Sequence, residues 1–547
     1  MSHEEPDFIK SSAIMAAGTL VSRFTGLIRN LLTVAALGTA LFADTFNVAN
    51  TIPTILYILL AGGALNAVFV PQLVRSMRDD EDGGSAFASR LFSSVTSLLF
   101  LITALGIVLA PLITRIYAPK FSLPGFEAER SLTITFMRYC LPQILMMGIF
   151  VILSQIGNAR GKFGAMMWAP VLNNLVGIGV LLTFLWVAPD VSANTITAGQ
   201  SALLGIGTTL GFVIQALVLI PVVKLSGLTL KIRFDWRHSD LGKSFRLGGW
   251  TLLFVLINQI GYLIIVKVAT SAAVQAKLAG IDTGVGFTPY SYAYFIFILP
   301  HSIITVSVIT ALLPKISRLA HDKNDEAVKN NLVDSLRNIA VATAPSTILF
   351  IAFGSAISAL LYAGTSADDS RQIGLVLAGF ALGLIPFSTM PLLLRGFYAY
   401  EDTKTPVVIN LFATGSMMVL AVIAENFISF RYVTVALAIA LGVSNITGTL
   451  LAIRSLEKRV GRFPKRQLLM THFKLLLISA FALIPSYLIF EVIRRGFGES
   501  WLFNALSLAL SGLAFAITYI YVGKIAKVEE ITSLYRQVKG RFRPSAE

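Results

Sequence analysis

From one end of this chain to the other, apolar blocks of about 18 to 30 residues recur, separated by short polar loops. Each block is long enough to cross the ~30 Å hydrocarbon layer as a helix, and a helix satisfies its backbone N–H and C=O groups within one segment. The composition agrees with that reading. The 547 residues are 55% hydrophobic and only 13% charged, where soluble domains carry about 25% charged residues. The expected fold class is an all-α polytopic membrane protein.

Punctuation by Pro, Gly and charge predicts about 14 transmembrane helices at about 20 residues each. Their centres fall near Leu20, Leu56, Leu101, Met147, Val180, Gly211, Leu256, Ile304, Leu349, Leu382, Met418, Leu441, Ala482 and Leu510. The second, eighth and tenth blocks are long or interrupted enough to be broken or tilted. Loops after even-numbered spans carry the cations: Arg75 and Arg78, Arg160 and Lys162, Lys224 to Arg246, Lys315 to Lys323, and Arg454 to Arg466. Loops after odd-numbered spans hold scattered ones such as Lys120, Lys277, Arg371 and Arg494. The positive-inside rule then places both termini in the cytoplasm. The N-terminal MSHEEPDFIK is acidic and lacks the basic start of a cleavable signal, so the first helix is expected to be retained.

Two landmarks recur at nearly one offset. Pro71-Gln-Leu-Val-Arg75 at the end of the second span resembles Pro314-Lys-Ile-Ser-Arg318 at the end of the eighth, and Ala169-Pro-Val-Leu-Asn-Asn-Leu175, opening the fifth, resembles Thr405-Pro-Val-Val-Ile-Asn-Leu411, opening the eleventh. The spacing predicts two parallel six-helix halves plus two C-terminal helices. The expected organisation is a cytoplasmic N-terminus over 1–10, an N-lobe over 11–240, a C-lobe over 241–460, a final helix pair over 461–525 and a basic cytoplasmic tail over 526–547. Parallel repeats of this kind characterise transporters that rock one half against the other around a site between them.

Charges inside spans need a reason, because each costs at least about 2.5–3.5 kcal/mol at the bilayer centre. The first span holds Ser22, Arg23, Arg29 and Asn30, with Gly26 between the arginines. Six residues at about 100° each put the two arginines roughly 120° apart in azimuth, enough for one broad cationic cavity but not for one narrow stripe. Snorkelling, or a pair with Asp44 that holds helices together, is the structural alternative. Asp44 opens the second span, where a helix N-terminus favours a carboxylate. Lys267, deep in the seventh span, either lines the cavity or snorkels. Asn47, Asn50, Asn173, Asn174, Asn258 and Gln259 read as interhelical glue or cavity lining. Ala61-Gly-Gly-Ala64 reads as hinge material.

Other functions lack material. The single cysteine, Cys140, cannot form an intramolecular disulfide, and the five scattered histidines make no close ligand pair. No phosphate-binding GxxxxGK[ST] run or enzyme signature is present, so no cofactor is expected and energy would come from a coupling ion, the membrane potential or product consumption. The net charge of +15 sits between apolar blocks, which points to anionic membrane lipids rather than nucleic acid. Leu228 to Trp236 alternates apolar with polar residues. It is expected to be either an interfacial segment, with Phe234 and Trp236 among headgroups and Lys231 and Arg233 on phosphates, or a plain loop.

Ser22-Arg23-x-x-Gly26-x-x-Arg29, Ala43-Asp44-x-Phe46 with Pro53, Ala64 and Phe69-Val70-Pro71, Leu299-Pro300 with Ala311-Leu-Leu-Pro314, and Gly396-Phe-Tyr398 with Asp402-Thr-Lys404-Thr-Pro406-Val407 together resemble the MurJ (MviN) lipid II flippases of the MOP exporter superfamily. The resemblance runs over essentially the whole chain. It implies a bacterial plasma-membrane flippase that moves an undecaprenyl-pyrophosphate-linked peptidoglycan precursor from the inner to the outer leaflet by alternating access. Ser22, Arg23, Arg29 and Asp44 match its functional positions, and the last two helices would line a groove for the polyprenyl tail. A diphosphate needs cationic, bidentate-capable donors in a low-dielectric cavity, so the physics agrees.

The resemblance has departures. Family members often carry an arginine where this chain has Tyr57, an acidic residue at Gly62, an aspartate at Asn30 and an arginine at Phe295. The expected substrate-binding set is therefore Ser22, Arg23, Arg29, Asn30, Asp44, Asn50, Tyr57 and Lys267, with Lys267 supplying part of the missing charge. Alternative functions are a flippase for another polyprenyl-pyrophosphate glycolipid, a MOP-type multidrug antiporter, or a scaffold whose basic tail docks cell-wall synthesis proteins.

Overall fold

The computed structural model describes residues 4–58, 76, 80–160, 163–189, 191–228, 230–234, 241–281, 284–498 and 500–532. Among them the chain is all-helical, with no strand. The helices are α1 (Glu4–Leu37), α2 (Leu41–Tyr57), α3 (Ser85–Tyr117), α4 (Glu127–Cys140), α5 (Gln143–Ala159), α6 (Phe163–Val187), α7 (Ala198–Leu217), α8 (Leu219–Leu225) and α9 (Leu241–Leu278). They continue as α10 (Phe287–Pro300), α11 (Val306–His321), α12 (Asp325–Leu361), α13 (Ala367–Ala381), α14 (Leu384–Tyr398), α15 (Lys404–Phe427), α16 (Phe430–Val460), α17 (Lys465–Phe497) and α18 (Trp501–Ile525).

Twelve of the described helical stretches are long and apolar enough to cross a membrane, and the bent pair α13–α14 makes a thirteenth. The span expected near Leu56 is described only over α2, and its Ala61–Ala64 and Pro71–Arg75 landmarks lie outside the described residues, as do Trp236 and the tail beyond 532. Polar caps start several helices. Thr197 and Gln200 form a reciprocal capping box on α7, Ser366 and Asp369 form another on α13, and the Asn324 side chain accepts the Ala327 N–H at the start of α12.

Two of the interrupted blocks break in identifiable ways. In the eighth span Pro300, which lacks an N–H, ends α10, and a π-turn over His301–Thr305 joins it to α11. In the tenth, α13 and α14 meet at 45° around Leu382–Gly383. Pro170, read from sequence as a helix opener, instead lies inside α6, whereas Pro406 does stand at the start of α15. Proline inside a spanning helix is tolerated where neighbouring groups take up the freed carbonyl.

The chain divides into two compact units, Met1–Leu278 and Ala279–Glu547. The expected lobe boundary at 240/241 and this boundary differ by one helix, because α9 packs on α2 and α3 of the first unit. Its end is tied there by an ion pair from Lys277 to the buried Glu129, with the Lys277 ammonium 5.7 Å from the Phe126 ring centroid. Leu41, Ala118, Phe121, Phe126, Ala273 and Val274 form an apolar cluster around it. In the alternating segment after α8, the N–H groups of Lys231 and Arg233 donate to Ser89 Oγ (3.1 Å) and Ser93 Oγ (2.9 Å), one turn apart on α3. This is an extended segment laid along a helix, with its Lys231, Arg233 and Phe234 side chains exposed.

Candidate functional site

The site is built where α1 meets α6. Six residues separate Arg23 from Arg29, so the two point to different azimuths. Arg23 is exposed, while Arg29 is half-buried and turned toward α6. Its Nη1 donates to Asn173 Oδ1 at 3.3 Å, and Asn173 in turn donates from Nδ2 to Gln215 Oε1 on α7 at 2.8 Å. A Cβ added to Gly177, one turn along α6, would fall 2.7 Å from Arg29 Nε, so the missing side chain is the space in which the guanidinium lies. Glycine at that position lets a bulky cation enter a helix–helix contact.

The neighbouring asparagine fixes the backbone of the same turn. Asn174 Nδ2 donates to the Ser22 carbonyl (2.9 Å) and to Thr25 Oγ1 (3.1 Å), beside Gly26. Ser22 thus takes part through its carbonyl. Arg29 is oriented by neutral groups only: one of its five N–H donors is used, and the others are uncommitted among the described residues. A fixed guanidinium with free donors in a low-dielectric surrounding suits a phosphate or pyrophosphate oxygen.

The remaining predicted residues do not all gather there. Asn50 on α2 accepts from Gln143 Nε2 (3.1 Å), which also donates to Thr209 Oγ1 (3.2 Å); the Thr209 hydroxyl donates to the Tyr139 carbonyl. This is a second network, buried at Gln143 and Thr209 and half-buried at Asn50, joining α2, α4, α5 and α7, with Gln143 Oε1 left without a partner. Asp44 is fully buried in the first turn of α2. Asn30 and Tyr57 are half-buried, and Lys267 is half-buried on α9, its ammonium without an ion-pair or hydrogen-bond partner among the described residues. Asn258 is exposed and bonds its own helix at the Phe254 carbonyl. Gly177, Gln215, Gln143 and Thr209 escaped the sequence reading, because partners tens of residues to more than a hundred residues away leave no local pattern.

The Tyr398–Val407 motif in the second unit is a structural clamp. Asp402 accepts from the Thr405 N–H (3.0 Å) and hydroxyl (2.8 Å) at the start of α15, and lies 3.8 Å from Arg459 at the end of α16. The Arg459 guanidinium sits 4.9 Å from the Tyr400 ring, whose hydroxyl donates to Asp325 on α12. Burial and that carboxylate hold the Tyr400 phenol well above its ordinary range.

A family model described as "Lipid II flippase MurJ" matches residues 33–507, well over half of the chain. The chain belongs to this flippase family. MurJ-family proteins are transporters rather than enzymes, and the chain is a multi-pass membrane protein of that kind. A probable lipid II flippase MurJ of Rhizobium tropici is 27% identical over 444 residues, covering 79% of this chain and 78% of its own length. One of Haemophilus influenzae is 27% identical over 463 residues (80% and 84%). The lipid II flippase MurJ of Burkholderia cenocepacia is 27% identical over 448 residues (81% and 82%).

In fold, the chain is similar to a MurJ structure in an inward closed conformation, with a TM-score of 0.70 at 20% identity, covering 94% of this chain and 99% of that one. It also resembles an inward-facing multidrug MATE transporter of the MOP superfamily, with a TM-score of 0.63 at 15% identity (82% and 98%). The family match begins four residues after Arg29, so the weight placed on that arginine comes from its geometry.

Proposed function

We propose that this chain carries lipid II from the cytoplasmic to the outer leaflet of the bacterial plasma membrane by alternating access, with both termini cytoplasmic. The observation that carries this reading beyond family membership is Arg29, held by Asn173 in the notch at Gly177 with donors to spare. In this reading the pyrophosphate takes the uncommitted Arg29 donors, and Arg23 and Lys267 add charge along its path. Ser22, Asn30 and Tyr57 set the polar lining, and the buried Asp44 and the Gln143-bonded Asn50 hold the helices that frame it. The sequence halves 11–240 and 241–460 rock against one another, residues 461–525 guide the polyprenyl tail, and anionic headgroups neutralise the cationic loops.

The test is leaflet-resolved lipid II accessibility in cells depleted of the protein and complemented with wild type or Arg29→Ala at matched expression. Inner-leaflet lipid II should build up and be relieved by wild type alone. An unchanged lipid II distribution after verified depletion, with no second flippase active, would overturn the reading.

A further inference from the structure

The last apolar span, α18, ends at Ile525, and at that end lies a cavity of about 260 Å³ with a mixed lining. Arg337 on α12, Thr471 and Lys474 on α17, and Lys527, Glu529 and Glu530 just after α18 form its polar wall. None of them belongs to the Arg29 site. An apolar cluster that includes Val341, Leu475, Phe515, Val528 and Ile531 packs the same three elements together, so the cavity stands on a fixed seam of the second unit.

Three cations and two carboxylates line it. Arg337 and Glu530 form a loose pair: Nε lies 3.6 Å from Glu530 Oε1, with the two side chains 19% and 13% exposed. That Nε is buried without a hydrogen bond, so the pair leaves a donor unused. Lys474, Lys527 and Glu529 are exposed and have no ion-pair partner among the described residues. With Arg337 and Glu530 cancelling one another, two ammonium groups and one carboxylate remain. Their complement is a ligand that carries a phosphate-type anion and, a short distance away, a cation able to donate hydrogen bonds.

Depth narrows the choice. Lys474 stands nine residues into α17, about 13 Å along the helix, and Leu469, Phe473 and Leu477 around it are exposed. Tyr521 and Ile525 are exposed at the end of α18. Large apolar side chains turned outward from a spanning helix face lipid, and an aromatic ring near its end belongs at the headgroup layer. The cavity therefore lies beside acyl chains at headgroup level. It is also smaller than the roughly 300–1,000 Å³ of sites for drug-sized ligands, which suits a headgroup better than a nucleotide.

We propose that this cavity binds the phosphoethanolamine headgroup of a membrane phospholipid. The phosphodiester accepts from Lys474 and Lys527, with Arg337 adding charge and Thr471 a hydroxyl. The primary ammonium of the headgroup donates to Glu529, beside Glu530. One bound lipid thus joins α12 to the α17–α18 pair and stabilises the second unit. With both termini cytoplasmic, as proposed above, the lipid belongs to the inner leaflet. Binding itself does not depend on the lipid II reading.

Lys527 offers a clean probe. Its φ is +51°, and the bonds from its N–H to the Lys524 carbonyl (3.1 Å) and from the Val528 N–H to the Gly523 carbonyl (3.0 Å) close α18 in a Schellman ending. Lys323 and Glu401 adopt the same left-handed conformation, so the conformation alone marks no site. It does make Lys527→Gly a change the backbone welcomes, because glycine is the usual residue there.

The test uses the full chain purified in detergent, with dioctanoyl phosphatidylethanolamine, phosphatidylcholine or phosphatidylglycerol added in turn. Binding is read by native mass spectrometry and by the melting temperature. The ethanolamine lipid should bind saturably, raise the melting temperature and hold about tenfold tighter than the other two. A choline headgroup has no N–H to give Glu529, and a glycerol headgroup has no cation. Glu529→Gln should erase the preference for ethanolamine over choline. Lys474→Gln and Lys527→Gly should each weaken the ethanolamine lipid about tenfold. Lys527→Gly should melt no lower than wild type when no lipid is added, which separates lost binding from lost folding.

Equal binding of the three lipids, tighter binding of phosphatidylglycerol, or wild-type affinity in the Lys474→Gln, Lys527→Gly double variant overturns the proposal. Soluble phosphoethanolamine that displaces the lipid at equal concentration would assign the site to a free phosphate compound and overturn the lipid. A chain that moves no lipid II but passes these tests loses the flippase reading alone.

Discussion

The two units use their glycines differently. In the first, the missing Cβ makes room for another residue's side chain: Gly177 for Arg29, Gly211 for Asn173 and Gly205 for Tyr139. In the second, Gly448 and Gly523 do the same for the side chains of Met390 and Ile531, but other glycines let backbones touch. A Cβ on Gly374 would fall 2.4 Å from the Ser355 nitrogen, one on Gly354 2.9 Å from the Gly374 carbonyl, and one on Gly383 2.4 Å from the Gly442 Cα. Close backbone approach gives rigid helix pairs, while side-chain pockets give polar contacts that can be remade. The first unit is therefore built around adaptable polar groups, and the second around fixed pairs interrupted at two defined breaks.

The hardest way to break this contrast is Gly374→Val. Backbone atoms cannot yield to a Cβ at 2.4 Å, so a cost of about 4 kcal/mol or more is expected, seen as loss of folded protein on gel filtration. Arg29→Ala should leave a folded chain, with the same elution and melting profile, and lower lipid II transport by about 100-fold or more. Arg29→Lys should recover only part of it, because an ammonium loses the planar fork. Normal transport in Arg29→Ala would remove the site.

Gly177→Ala sharpens the comparison further. The chain should fold, but displacement of the guanidinium should cost about tenfold in transport, since small misplacements of a binding group are expensive. Glu129→Gln strands Lys277 at the end of α9 and should lower stability by about 1–2 kcal/mol, less than for a sealed pair because Lys277 is about one-third exposed. Gly26→Ala should do least. Its new Cβ would meet Asn174 at 3.4 Å, an ordinary contact, so transport and melting temperature should match wild type; a large loss would show that this helix pair has no slack.

Much of the fold is legible because a membrane admits few solutions: apolar length and charge placement bound the spans, and Pro300 and the run around Leu382–Gly383 mark the broken ones. Pro170 misleads because a proline signals a helix start in water, whereas a spanning helix absorbs it. The site is legible in part. Arg29 and the Asn173–Asn174 pair stand out as polar groups in apolar blocks, yet which asparagine meets the guanidinium depends on helix rotation that spacing alone does not set. Lys277 reads as a stray loop cation because its partner, Glu129, is 148 residues away.

The Arg29 contact also bears on how the chain is made. Asn173, Gly177 and Gln215 emerge from the ribosome long after Arg29, and α1 contains the least apolar of the twelve candidate spans. The first helix must therefore wait at the insertion machinery, with its charge unmatched, until the fifth and sixth spans arrive. Its final seating is a late assembly step, and damage to α6 or α7 should show first as a loosely inserted, protease-sensitive N-terminal segment.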